Sequence, residues 1–216
     1  MKVTLFGATG KTGQYLIAEG LKRGIQLTVF ARTTTSFDSP NVHVVRGSLD
    51  DKDCLAKAIR GADAVLSALG PTSPKHPGNL PITKATESII SVMKQENVTR
   101  LIAVSTGTAP DPRDGSDWKI WLPALFIKIA MPSTFKDILA LAKEIRASGL
   151  DWTMVRVALL KNRPASQRLN VGLYGHSAHS MTISREDVAI FMFDQISDKK
   201  YIKQAPGIST QLRPDA

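Results

Sequence analysis

The sequence predicts an α/β fold, a doubly wound parallel sheet with helices on both faces. Three observations lead there. Short apolar runs alternate with helix-spaced amphipathic segments through most of the 216 residues. Glycine stops several of the helical segments. A glycine triplet, Gly7, Gly10 and Gly13, lies between the first apolar run and the first helical pattern. Such alternation favours parallel strands joined by helical crossovers and buried on both faces.

Taken in order, Val3 to Phe6 reads as a buried strand ending at glycine. Lys11 to Arg23 carries Tyr15, Leu16, Ala18 and Leu21 at helical spacing and stops at Gly24. Gln26 to Phe30 and Val42 to Val45 are the second and third strands. Asp51 to Arg60 is a helix stopped by Gly61, and Ala64 to Leu69 is the fourth strand. Pro81 to Glu96 is a long helix with Ile82, Ala85, Ile89 and Met93 turned inward. Leu101 to Val104 is the fifth strand, Thr134 to Ala147 a helix ending in Ser148-Gly149, and Thr153 to Val157 the sixth strand. Ser184 to Ile196 is a last helix, with Ser184 as N-cap and Asp187 three residues on. Two long connections remain, Gly70 to Pro81 and Thr108 to Ser133. Long connections in compact domains are often lids or binding loops. A single domain over 1–216 is expected, with a substrate lid at about 108–133.

Composition narrows the class. Apolar residues make up 43%, the level of a globular chain. Cys54 is the only cysteine, so no disulfide can form within the chain, which agrees with a reducing, cytoplasmic setting. Met1-Lys2 runs straight into the first strand, so no signal peptide is expected, and the apolar segment D-W-K-I-W-L-P-A-L-F-I-K-I-A-M-P is too short and too charged for a membrane span to be expected. The net charge is +9, but Lys and Arg are scattered without a run of five, so no nucleic-acid partner is expected. The four histidines form no ligand-spaced set beyond one H-x-x-H, so no metal is expected either.

The stretch G-A-T-G-K-T-G, Gly7 to Gly13, can be parsed as the end of a triphosphate loop or as a dinucleotide turn. A triphosphate loop needs G-x-x-x-x-G-K-[ST], which would put its first glycine at Leu5, inside the strand. The dinucleotide turn fits the strand–turn–helix setting. Gly7 permits the tight turn, Gly10 lets backbone N–H groups approach a pyrophosphate, and Gly13 lets helix and strand pack closely. At the end of the second strand, F-A-R-T-T-T carries no carboxylate for a ribose 2′-hydroxyl. Arg32 can instead pair with a 2′-phosphate, and Thr33, Thr34 and Thr35 offer hydroxyls. NADP(H) is the expected cofactor, on a Rossmann-type fold.

Five stretches in order resemble the atypical short-chain dehydrogenases with NmrA-like members: G-A-T-G-K-T-G, A-V-L-S-A-L-G at 64–70, L-I-A-V-S-T at 101–106, A-S-G-L-D-W-T-M-V-R at 147–156 and I-S-R-E-D-V-A at 183–189. The resemblance covers nearly the whole chain. Its length and the F-A-R stretch look most like the biliverdin/flavin reductase branch. The resemblance implies that Gly7, Thr9, Gly10, Thr12 and Gly13, with Lys11 among them, hold the pyrophosphate. It implies that Arg32 and Thr33 hold the 2′-phosphate, that Ser48 and Leu49 border the adenine, and that Leu69 and Gly70 pass beside the cofactor. Relatives usually carry Asp where Gly47-Ser48-Leu49 stands, so a carboxylate contact to the adenine is missing. Ser105 and Thr106 would sit near the nicotinamide.

A short-chain dehydrogenase often uses a Tyr-x-x-x-Lys acid. Four positions after Tyr15, Tyr174 and Tyr201 stand Glu19, Ala178 and Ala205, so the dyad is absent. The candidates for proton donation are Ser105, Thr106, Lys136 or Lys143 on the following helix, His176 or His179, or water. Lys136 and Lys143 also suit a solvated helix face, and the two histidines suit an exposed polar loop. A conjugated acceptor needs orientation more than a strong acid. A small, planar conjugated substrate such as a flavin, quinone or tetrapyrrole is therefore expected. The alternatives are a non-catalytic NADP-binding regulator and a non-redox isomerase or cyclase on the same scaffold. Trp118, Trp121, Leu122, Leu125 and Ile129 make one apolar helical face interrupted at Pro123. That face suits a substrate lid, core packing, or a homodimer or membrane-surface contact.

Overall fold

Parallel strands and the helices between them account for most of the computed structural model, which describes residues 1–37, 39–71, 76–166 and 168–211. The first half runs β1 (Lys2–Phe6), α1 (Lys11–Lys22), β2 (Gln26–Arg32), β3 (His43–Gly47), α2 (Lys52–Ile59), β4 (Ala64–Ser67) and α3 (Pro81–Gln95). The second half runs β5 (Arg100–Thr106), α4 (Trp118–Ala130), α5 (Pro132–Ala147), β6 (Asp151–Val157), β7 (Leu159–Lys161), β8 (Leu169–Gly172), β9 (Thr182–Ser184), α6 (Arg185–Asp194) and β10 (Gly207–Thr210).

Among the described residues the main sheet has eight strands in the order β3-β2-β1-β4-β5-β6-β10-β8. All pairs are parallel except β8 on β10. Strand order reverses between β1 and β4, the address at which open α/β sheets bind ligands. Residues alternate between faces along each strand. Val3 and Leu5 enter the core under α1 and α6, while Phe6 enters the one under α2, α3 and α5. Thr4 shares the second face, where its hydroxyl donates to the Ala58 carbonyl over 2.6 Å.

Caps explain where helices begin. Asp51 accepts from Asp53 and Cys54 N–H groups at 3.0 Å and starts α2. Ser184 accepts from the Asp187 N–H at 2.9 Å and starts α6, as its spacing predicts.

The structure adds four strands to the six expected. β7 and β9 pair with each other, and β10 and β8 extend the main sheet. Each has only three or four residues, and L-N-V-G and G-I-S-T lack the apolar run that marks a buried strand. The long connection at 108–133 also contains a full helix. Pro123 lies inside α4 rather than interrupting it, and only Met131 separates α4 from α5. Residues 72–75 of the other long connection lie outside the described residues.

Candidate active site

The glycine loop is built by close approach. Gly7 has φ +75°, and a Cβ there would stand 2.6 Å from the Ala68 carbonyl carbon and oxygen. A Cβ on Gly13 would stand 2.3 Å from Ala8 Cα. Both contacts are with backbone, which cannot swing aside as a side chain can. Gly10 is the N-cap of α1, and it brings no side-chain cap. No acid lies in the first turn. The helix therefore presents its first N–H groups and its positive dipole end beside exposed Thr9, Gly10 and Lys11, with Thr12 half-buried. This is the geometry of an anion cradle.

At the carboxyl end of β2, Arg32 is exposed and has no hydrogen-bond partner among the described residues. Arg46 on β3 differs: its guanidinium donates to the Thr35 carbonyl at 2.9 Å and to the Phe37 carbonyl. Arg46 is thus occupied in shaping the turn after β2, whereas Arg32 has no hydrogen-bond partner among the described residues. Thr33 is exposed in that turn, which the Thr35 N–H closes on the Arg32 carbonyl at 2.9 Å. Ser48 is exposed after β3, while Leu49 packs partly against the α2–α3 core. Leu69 packs against the same core, and Gly70 is exposed just beyond it.

Ser105 and Thr106 end β5, and the structure separates their roles. The Thr106 hydroxyl accepts from the Thr108 N–H at 3.2 Å, a local turn bond. The Ser105 hydroxyl is buried with no partner among the described residues. Strand alternation puts it on the side of Ala103, facing the core of α3 and α5. Thr134, in the first turn of α5, also holds a buried hydroxyl with no partner. Lys143 does not join them. The buried side of α5 carries Thr134, Asp137, Ile138, Leu141 and Ala142, and Lys143 is exposed off that side, as is Lys136. Of the alternative proton donors read from the sequence, Lys136 and Lys143 thus take the solvated helix face.

Sequence reasoning missed His76. It lies in the loop after β4 with its side chain 5% exposed, and its Nε2 is 3.0 Å from Asp137 Oδ2, out of line for a hydrogen bond. Asp137 is itself fully buried and accepts from the Ile82 and Thr83 N–H groups at 3.0 and 2.9 Å. It thereby caps α3, whose own N-cap, Leu80, is held at φ +54° without a side-chain cap. The only sequence signal was the Pro- and Gly-rich setting of His76.

Past the end of β5 lies a cavity of about 390 Å³, lined by Gly107, Thr108, Trp121, Leu125, Phe135 and Tyr174 among others. That volume lies within the usual range of small-molecule sites. Its floor rests on a buried ion pair. Arg156 is fully buried, and its guanidinium donates to both Asp114 oxygens at 2.5 and 2.7 Å. Tyr174 stacks on that guanidinium at 4.7 Å and donates its hydroxyl to the Arg156 carbonyl. Burial pushes the Tyr174 phenol well above its ordinary value, so it stays a neutral, committed donor.

His179 corrects an expectation. It is 1% exposed, set between Ser177 and Ser209 at 3.1 Å each and edge-on to Tyr174. Burial lowers its pKa, which favours the neutral ring. His176 is exposed, with Nε2 3.0 Å from the Arg113 carbonyl. Among the described residues no group of His, Cys, Asp and Glu could hold a metal ion.

A family model described as NAD(P)H-binding matches residues 7–199. The chain belongs to this NAD(P)H-binding family. The match begins at Gly7, the first glycine of the cradle, and its cofactor fits the residues present: an uncapped helix start, two glycines whose Cβ atoms would collide with backbone, and no acid in the first turn. The chain is 24% identical over 210 residues to the uncharacterized protein YwnB of Bacillus subtilis (strain 168), covering 93% of this chain and 94% of YwnB. Plant relatives are longer: the chain covers 46% of an isoflavone reductase homolog of Arabidopsis thaliana, at 24% identity. The fold is shared with a short-chain dehydrogenase/reductase of Veillonella parvula solved with NADP, with TM-score 0.75, 21% identity and 99% and 94% of the two chains covered. It is equally shared with ChuY, an anaerobillin reductase of Escherichia coli O157:H7, with TM-score 0.76, 19% identity and 100% of both chains covered.

Proposed function

We propose that this NAD(P)H-binding chain is an NADP(H)-dependent reductase of a small, planar conjugated molecule. The observation that carries the reading is the shared edge of the sheet. The cradle at the end of β1, the Ser105 hydroxyl at the end of β5 and the cavity beyond Gly107 all lie past the carboxyl ends of parallel strands. With β4 between them, β1 and β5 are about 10 Å apart, within the reach of one dinucleotide. When bound, the cofactor supplies a hydride.

The chain's own residues bind and orient. The α1 N–H groups would hold the pyrophosphate, and Arg32 with Thr33 would hold a 2′-phosphate. At the carboxyl end of β5, Ser105 is the hydroxyl assigned to donate to an acceptor, since it is buried and without a hydrogen-bond partner among the described residues. The apolar walls of Trp121, Leu125 and Phe135 exclude water and align a flat ring system. α4 serves as the lid. The fold likeness to an anaerobillin reductase puts that compound in the acceptor panel beside flavins, quinones and linear tetrapyrroles.

The test follows NADPH absorbance with each acceptor. Consumption with one of them supports the reductase. Tight NADPH binding without consumption points to a regulator, and product formed without net cofactor turnover points to a non-redox enzyme.

A further inference from the structure

We propose that α4 seats the protein on an anionic membrane surface. Trp118, Trp121, Leu122, Phe126 and Ile129 are each more than half exposed, from 53% to 73%. At 3.6 residues per turn the five fall within an arc of roughly 140°, a single stripe along one side of the helix. Among the described residues, only Met1 and Leu159 add to the large exposed apolar side chains, so the exposed apolar surface is concentrated here. A stripe of that kind on a soluble chain marks an interaction surface.

Charge decides what covers it. The helix W-K-I-W-L-P-A-L-F-I-K-I-A contains no acidic residue. Lys128 stands exposed just outside one border of the stripe, and Lys119 lies just outside the other, where its ammonium also donates to the His179 carbonyl at 3.3 Å. The acids just before the helix in the chain are already occupied: Asp117 caps it through the Lys119 N–H at 3.0 Å, and Asp114 is paired with buried Arg156. The chain as a whole carries +9. A two-fold contact between copies would set lysine-bordered stripes of two +9 chains against each other, with no carboxylate on either helix to relieve them. An anionic lipid surface relieves both the charge and the apolar exposure.

The residue types agree. Two of the five are tryptophans, the side chain that settles at the boundary of headgroup and acyl chain. With 13 residues, about 20 Å, α4 is too short to cross a bilayer but long enough to lie along one. Among the described residues no helix is long and apolar enough to span a membrane. The stripe borders the cavity through Trp121, so docking would bring the cavity mouth to the lipid surface.

The chain has three tryptophans, and the third, Trp152, is buried, so a change in tryptophan emission on docking reports α4. The experiment mixes the full chain with vesicles of phosphatidylcholine alone or of phosphatidylcholine with phosphatidylglycerol. Flotation with the anionic vesicles only, a blue shift in emission and release by salt support the proposal. A Trp118→Ser, Phe126→Ser double variant, which touches neither the cradle nor the cavity, should bind at least tenfold more weakly with unchanged circular dichroism and NADPH binding. Three results overturn it: no flotation at low salt, equal binding to neutral and anionic vesicles, or a lipid-free dimer that the double variant dissolves.

Discussion

The glycine cradle and the cavity sit on the same edge of the sheet but are made in opposite ways. The cradle uses seven consecutive residues and almost only backbone. Its shape depends on side chains being absent at Gly7 and Gly13. The cavity draws on β5's exit, α4, α5 and Tyr174, which are far apart in the chain, and it depends on side chains being present. A local backbone device is legible as a motif, and a wall assembled at long range is not. The same contrast holds within the cavity's support, where Asp114 and Arg156 meet across 42 residues.

Substitutions can break this contrast. The largest effect should come from Asp114→Ala, which leaves the Arg156 guanidinium buried and unpaired. A loss of about 3–5 kcal/mol is expected from urea unfolding, with NADPH binding retained in the protein that stays folded. Gly13→Ala should cost about 1–3 kcal/mol by overpacking and, unlike Asp114→Ala, should weaken NADPH binding in parallel. If Gly13→Ala binds NADPH normally, the cradle has been misplaced.

Smaller effects sharpen the roles. Arg32→Ala should cut the preference for NADPH over NADH about tenfold to a hundredfold in a fluorescence titration, whereas Arg46→Ala should leave the ratio alone. Equal affinities in the parent chain would remove Arg32 from the site. Ser105→Ala should lower kcat about tenfold to a hundredfold with the KM for NADPH unchanged, and Lys143→Ala should change kcat less than about twofold. A large loss in the lysine variant would reverse the present placement.

The smallest effect is expected from pH. His179 is held below its ordinary value of 6.5 by burial, so near that pH the unfolded chain binds more protons than the folded one. Its contribution to stability is complete above 6.5 and is lost as pH falls through 6.5 toward the lower folded value. The urea midpoint should drop across that window, and His179→Asn should flatten the drop.

Much of the fold was legible because apolar runs mark the first six strands and α1, α2, α5 and α6 carry a stop or a cap of their own. The strands that sequence reasoning missed are only three or four residues long, and β10 lies between β6 and β8 with Ile208 in the core. The tight turn of Gly7 to Gly13 was legible for the same local reason. His179 reads as a loop histidine but is enclosed by Ser177, Ser209 and Tyr174, which only the folded chain brings together. Lys143 reads equally as a proton donor or as a solvated lysine, and only the fold shows that α5 turns that side to solvent.

By itself, then, the sequence determined the alternation of strand and helix, the parallel sheet and the anion cradle, because period, glycine placement and caps act over a few residues. Only the tertiary structure decided that Ser105 rather than Thr106 keeps an unpartnered hydroxyl, that Asp137 caps a helix other than its own, and that the tryptophan stripe of α4 faces outward. Those depend on which distant atoms fill the space around each side chain, and hydrogen bonding and burial are settled there.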